Sequence, residues 1–157
     1  MISIGGFIMS NKLTVTADMI NDKVKFSGVS RDNNEVFIDA VQPLGEGDGY
    51  TPLELFLMSL ATCTGMTLAL LLRKMNKNVS ELRVIASGER RETLPKYFKS
   101  IQLRFELASN DVQPDDIENA IKNMEEYSCP VWNMVKSNVD ISSEYKIKNI
   151  DKNKCIL

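Results

Sequence analysis

Hydrophobic positions fall along this chain in three different rhythms. In the first fifty residues apolar and polar positions alternate in short runs, Leu13–Asp18, Lys23–Ser27 and Val36–Asp39. Turn signals at Asn21-Asp22 and at Arg31-Asp-Asn-Asn34 separate them, so they predict an antiparallel meander of three strands. A glycine-rich loop from Pro43 to Gly49 then delivers the chain to a nearly unbroken apolar run, Leu53 to Leu72. This run begins with a full set of helix-start residues. Thr51 serves as cap, Pro52 takes the first helical position, and Glu54 completes a Thr-x-x-Glu capping box. Arg73, Lys74 and Lys77 follow it, cations where the helix dipole is negative. Alternation returns in Leu82–Arg91 and again in Phe98–Leu107, with Thr93-Leu-Pro95 as the turn of a second hairpin. Pro114, Asp115 and Asp116 open another helix, with Ile117, Ile121 and Met124 on its apolar face. It stops before Cys129-Pro130, and a short helix (Pro130–Lys136) and a last strand (Val139–Ile147) complete the order βββ–α–ββ–αα–β. The fold class is α+β.

The central run is about as long as the ~20 residues that span a bilayer core. Ser59, Thr62, Thr64 and Thr67 interrupt it, and strands flank it on both sides. It therefore reads as a buried helix of a domain that does not enter a membrane. A helix apolar on nearly all sides must be surrounded by protein or by lipid, and one this long is hard for 157 residues to bury completely. A homodimer in which two copies of the helix pack together is the expected remedy.

Composition narrows the chemistry. The net charge of −2 and pI near 5.3 provide no basic field for nucleic acid. Residues 1–11 read as a loosely attached lead-in without a secretory signal, and 12–157 as a single domain in the cytoplasm, where thiols stay reduced. The chain has no histidine, which excludes Ser-His-Asp and Cys-His hydrolysis and histidine-ligated metals. Cys63, Cys129 and Cys155 stand too far apart for a zinc knuckle or a CxxC pair, and no phosphate-cradling glycine motif is present. The reading is of a protein without metal or cofactor, whose reactive groups are thiol, carboxylate, arginine and lysine.

Cys63 lies midway along the apolar run. Helical spacing puts Ser59 and Thr67 on its face, and Gly65 costs roughly 1 kcal/mol of helix propensity against alanine, so something must approach there closely. Cys129 precedes Pro130 at a helix start, where free N–H groups favour thiolate over thiol. Cys155 sits in a polar tail and reads as incidental.

The pattern Pro-x-Glu-Leu-x-Leu-x-x-Leu-x-x-Cys-x-Gly, then Gly88-Glu-Arg-Arg-Glu92 before a proline and an alternating strand, then Tyr127-Ser-Cys-Pro-Val131, resembles the OsmC/Ohr superfamily. The likeness runs from about Lys12 to Ile147. It implies antiparallel sheets wrapped around a long central helix in an intertwined homodimer, with active sites at the subunit boundary. It further implies reduction of organic hydroperoxides by Cys63 as attacking thiolate and Cys129 as resolving thiol, reset by a dithiol reductant that in this family is usually a lipoyl-bearing protein. Two positions depart from the best-studied peroxidase branch. Leu53 occupies the slot of a glutamate, and Glu54, nine positions before Cys63, falls on the opposite helix face. The first hairpin turn, Met19–Lys23, carries no arginine, which leaves Arg31, Arg90 and Arg91 as candidates. The chain thus resembles the broader OsmC-like group. Its alternative function is a non-enzymatic stress protein or a dimer holding a small hydrophobic ligand beside inert thiols.

Overall fold

The computed structural model describes residues 12–149. Residues 1–11 and Cys155, for which the sequence predicts a lead-in and an incidental thiol, lie outside the described residues. Two compact units divide between Leu55 and Phe56, inside the long helix.

The first unit holds the meander: β1 (Thr16–Met19), β2 (Phe26–Val29) and β3 (Val36–Ile38), joined antiparallel in that order. Its strands begin and end up to three residues from the alternating runs. Asn21 fixes the first turn by accepting the Lys23 and Lys25 N–H groups at 3.1 and 3.0 Å. After β3 the buried Asp39 organises the glycine-rich loop, its carboxylate accepting the N–H groups of Ala40, Glu46 and Asp48 at 2.8, 2.9 and 3.2 Å. The predicted capping box is formed. Glu54 Oε2 accepts the Thr51 N–H at 2.7 Å and the Thr51 hydroxyl at 2.8 Å, and the Glu54 N–H reaches Thr51 Oγ1 at 3.3 Å. These bonds hold the Glu54 carboxyl below its ordinary pKa.

The long helix is α1 (Pro52–Lys74). In the second unit it precedes β4 (Glu81–Arg90), β5 (Phe98–Ala108), α2 (Pro114–Asn123), a π-helical turn (Met124–Ser128), α3 (Pro130–Val135) and β6 (Asp140–Lys148). β4 and β5 form the expected hairpin, with a bulge between Glu89 and Arg90. β6 joins β5 in parallel, a departure from the expected antiparallel sheets. Its physical cause is the crossover through α2, the π turn and α3, which returns the chain to the same end of the sheet.

Register puts Leu82, Val84, Ala86 and Gly88 of β4 on one face with Ile101, Leu103, Phe105 and Leu107 of β5 and Ile141, Ser143, Tyr145 and Ile147 of β6. This is the core face, and the four β5 side chains on it are at most 1 % exposed. The opposite face carries Arg83, Ser87, Gln102, Glu106 and the Arg104–Glu144 ion pair. α1 lies on the core face. Its buried positions Leu60, Thr64, Leu68 and Leu72 recur every four residues, and Gly65 meets β4 so closely that a Cβ there would stand 2.9 Å from Val84 Cγ2. What approaches the glycine is a valine. Farther up α1, Phe56 stacks on Phe98 at 6.0 Å between ring centroids.

α1 is long and apolar enough to cross a membrane by length and composition, and about a third of its apolar stretch is buried within this chain. Met58, Met66 and Leu70 are 41, 67 and 54 % exposed, one stripe at spacings of eight and four residues opposite the buried one.

Gly88 faces Phe98, and a Cβ there would meet the ring at 2.4–2.5 Å. Gly88→Ala is expected to cost about 1–3 kcal/mol by overpacking, read as a lowered urea midpoint with an unchanged slope. An unchanged midpoint would show that the ring moves aside freely.

Candidate functional site

The site is built from the middle of α1 and the start of α3. Around Cys63 three threonines sit in an otherwise greasy helix because each hydroxyl bonds back to a carbonyl of the preceding turn. Thr62 Oγ1 donates to Met58 O at 2.7 Å, Thr64 Oγ1 to Leu60 O at 2.9 Å, and Thr67 Oγ1 to Cys63 O at 2.8 Å. The polar residues flanking Cys63 therefore serve the helix backbone. The cysteine itself is half-buried, at the border between the buried and exposed stripes.

Cys129 is delivered by the crossover. α2 starts with the Gln113 N–H donating to Asp116 at 2.8 Å, and Asp116 pairs with Lys77 at 2.7 Å. The π turn then adds the extra residue per turn that re-aims the chain. It is pinned on two sides, by Ser143 of β6 donating to Glu125 at 2.9 Å and by Lys136 reaching Glu125 O at 3.3 Å. Cys129 follows as N-cap of α3 with Pro130 at the first position. Its Sγ accepts the Trp132 N–H at 3.4 Å, and its carbonyl accepts the Asn133 side chain at 2.9 Å.

Sixty-six positions apart in sequence, the two sulfurs lie 2.8 Å apart, with the Cys129 S–H donating to Cys63 Sγ. Both are free thiols. Cys129 is fully buried. Burial, and then the bond to Cys63, push its pKa up from 9.0 to about 11, against the opposing pull of the Trp132 and Val131 N–H groups. This corrects the expectation from sequence. The N-cap does favour thiolate at Cys129, but desolvation is the larger effect, and the residue keeps its proton.

Arg90 and Arg91 are engaged within their own hairpin. Arg90 Nε donates to Lys96 O at 2.8 Å, and Arg91 bonds Thr93 and the Tyr97 hydroxyl while lying 4.8 Å over the Tyr97 ring. Both hold the turn of the β4–β5 hairpin. Arg31 belongs to the β2–β3 turn of the first unit, where it adopts a left-handed φ of 57°. Glu54 is a cap. Sequence reasoning missed the Trp132 N–H, although a cysteine at an N-cap addresses the third residue onward by rule. It also missed an open groove of about 530 Å³ along the exposed side of α1, lined among others by Gly65, Met66, Leu70, Arg73 and Val84. Neither cysteine lines it. Among the described residues no cluster of three metal-ligating side chains occurs.

An α+β unit in which a cysteine on the central helix meets a buried cysteine at a Cys-Pro helix start defines a class of dithiol domain. The family model for OsmC-like proteins matches residues 45–144, which include both cysteines, and this chain belongs to that family. The chain is 27 % identical over 123 residues to Protein YhfA of Escherichia coli K12, covering 78 % of this chain and 89 % of that protein. Among solved structures it is similar to a hypothetical protein from Aquifex aeolicus (TM-score 0.79, 24 % identity, 90 % of this chain and 100 % of that one). It is also similar to an OsmC-like protein from Mycoplasma pneumoniae (0.74, 20 %, 91 % and 100 %). The organic hydroperoxide resistance protein OhrB of Bacillus subtilis aligns at 0.59, with 22 % identity over 86 % of this chain and 98 % of that one. These likenesses establish the fold, with α1 as its central helix.

The raised Cys129 pKa has a definite sign. Because the folded chain holds this proton more tightly than the unfolded one, the stability it contributes is full below the ordinary thiol range. That contribution declines as pH climbs from about 9 toward about 11. At pH 8 the Cys129 thiolate fraction is on the order of 10⁻³. Peptide mapping after brief iodoacetamide treatment at pH 8 should find Cys63 modified well ahead of Cys129, with Cys129 labelling rising about tenfold per pH unit. Equal labelling at pH 8 would contradict the burial.

Proposed function

We propose that this protein is a two-cysteine, thiol-dependent reductase of organic hydroperoxides, serving peroxide defence in the cytoplasm. The observation that supports the reading is the 2.8 Å approach of a half-exposed sulfur to a buried one. Cys63, as thiolate, attacks the terminal peroxide oxygen. The O–O bond breaks, the alcohol leaves after taking a proton, and Cys63 becomes a sulfenic acid. Cys129 attacks that sulfur, expelling water and forming the Cys63–Cys129 disulfide, and a dithiol, from a small molecule or a lipoyl protein, returns both thiols. Keeping Cys129 protonated and sealed until the sulfenic acid forms favours this order, since the buried sulfur is not offered to peroxide.

The working unit in this proposal is a homodimer. Met58, Met66 and Leu70 leave a stripe of α1 uncovered, and a second copy of α1 supplies apolar surface of the same spacing. A second reading draws on the groove beside that stripe, apolar along its length and ending at Arg73. In that reading the dimer holds a small hydrophobic ligand and the thiols are idle.

Turnover of tert-butyl hydroperoxide with dithiothreitol decides between them. Wild type should exceed the protein-free rate many-fold, with two thiols lost per chain on addition of one equivalent of peroxide. Cys63→Ser should fall to the background rate. A wild type no faster than dithiothreitol alone would sink the enzymatic reading. Met66→Glu is expected to shift the sedimentation coefficient from dimer to monomer, and a monomeric wild type would remove the dimer from the scheme.

A further inference from the structure

Resetting the disulfide poses a choice that the overall reaction leaves open: which of its two sulfurs the incoming thiolate attacks. Two effects oppose each other. Exchange runs faster when the departing thiol has the lower pKa. In the reduced protein the Cys129 pKa is raised to about 11, so leaving-group ability alone counts against the departure of Cys129. Access favours the reverse. Attack requires an in-line approach to the struck sulfur, and Cys129 is 0 % exposed, whereas Cys63 reaches the surface.

Access prevails for two reasons visible in the structure. First, part of the leaving-group disadvantage belongs to the reduced pair alone. One of the two main causes of the raised pKa is the Cys129 S–H bond to Cys63, and in the disulfide that bond no longer exists. The Trp132 N–H at 3.4 Å remains, aimed at the sulfur that would carry the departing electron pair. Second, Cys129 is 0 % exposed and the segment that carries it is anchored. The π turn ahead of it is tied to β6 through Ser143 and to α3 through Lys136, and α3 is closed onto Cys129 by the Asn133 side chain. Attack on a sulfur with no exposed surface requires a local opening, and its rate is scaled down by the rarity of that opening.

We infer that the reductant attacks Cys63 and releases Cys129, so that Cys63 is struck in both halves of the cycle and Cys129 never meets an external partner. The inference rests on the two-cysteine reading above. One thiolate of the dithiol bonds to Cys63 Sγ, the Cys63–Cys129 bond breaks, and its electron pair leaves with Cys129, which takes a proton from solvent. The second thiol of the reductant then attacks its own partner sulfur and expels Cys63 as thiolate. Two electrons have passed from the dithiol to the protein, and the reductant departs as a cyclic disulfide.

The test uses the full chain in a Cys155→Ser background, oxidised with diamide so that the disulfide forms without any hydroperoxide. A short pulse of 2-mercaptoethanol is quenched in acid, free thiols are capped with N-ethylmaleimide at pH 6, and the tryptic peptides are weighed. The expected product carries mercaptoethanol on Cys63 and maleimide on Cys129, in at least tenfold excess over the reverse. A majority of mercaptoethanol on Cys129, or an even split, would overturn the inference. A second arm compares single-cysteine proteins, Cys129→Ser and Cys63→Ser, in their reaction with dithionitrobenzoate. The remaining Cys63 should react at least ten times faster than the remaining Cys129, and similar rates would count against the sealed sulfur. Because the disulfide is made with diamide, a protein that fails to turn over hydroperoxide can still show this exchange pattern, and an active peroxidase can still fail it.

Discussion

The seat of α1 on the inner face of the β4–β5–β6 sheet is the constraint from which the second unit follows. A helix this apolar gains by burying any of its faces, so the hydrophobic effect alone does not say which one. Gly65 helps to select it sterically, since a Cβ there would stand 2.9 Å from Val84 Cγ2. With Gly65 against β4, the Leu60, Thr64, Leu68 and Leu72 positions face the sheet and the Met58, Met66 and Leu70 positions do not. Cys63 is left on the border, neither sealed in leucine nor free in water.

That border position gives the second cysteine its meaning. A lone thiol in a greasy helix is usually an inert small hydrophobe. Here the crossover from β5 to β6 passes through a π turn and stops at Cys129 with its S–H directed at Cys63 Sγ. The two thiols differ sharply in surroundings. Cys129 has lost its water and keeps its proton, while Cys63 has one side open. A pair made unequal in this way favours one order of events, because a sulfur with no exposed surface meets its neighbour far more readily than an external reagent.

The chain's local signals survived well where they concern backbone. The Thr51–Glu54 box, the proline-led starts of α1, α2 and α3, and the alternation of β5 all appear where propensity and capping chemistry place them. Those signals are short-range, and short-range physics is written in neighbouring residues. The sequence leaves open which arginine, if any, serves the thiols. Arg90 and Arg91 were open candidates for the site, yet the nearest good acceptors for their guanidiniums are Thr93, Lys96 O and Tyr97 in their own hairpin. The thiolate expected at Cys129 rested on the helix terminus, a local term, and was overruled by burial, which is not local.

The sequence by itself determined the α+β order, the long central helix, the absence of histidine chemistry and the two cysteine contexts that carry the family likeness. Only the tertiary structure decided that β6 runs parallel to β5, that Gly65 is matched by a valine, and that sulfurs 66 positions apart come within 2.8 Å. The physical reason is the same in each case. Capping, turn and alternation preferences act over a few residues, whereas desolvation and side-chain packing depend on which distant segments share a face, and that is settled only when the whole unit closes.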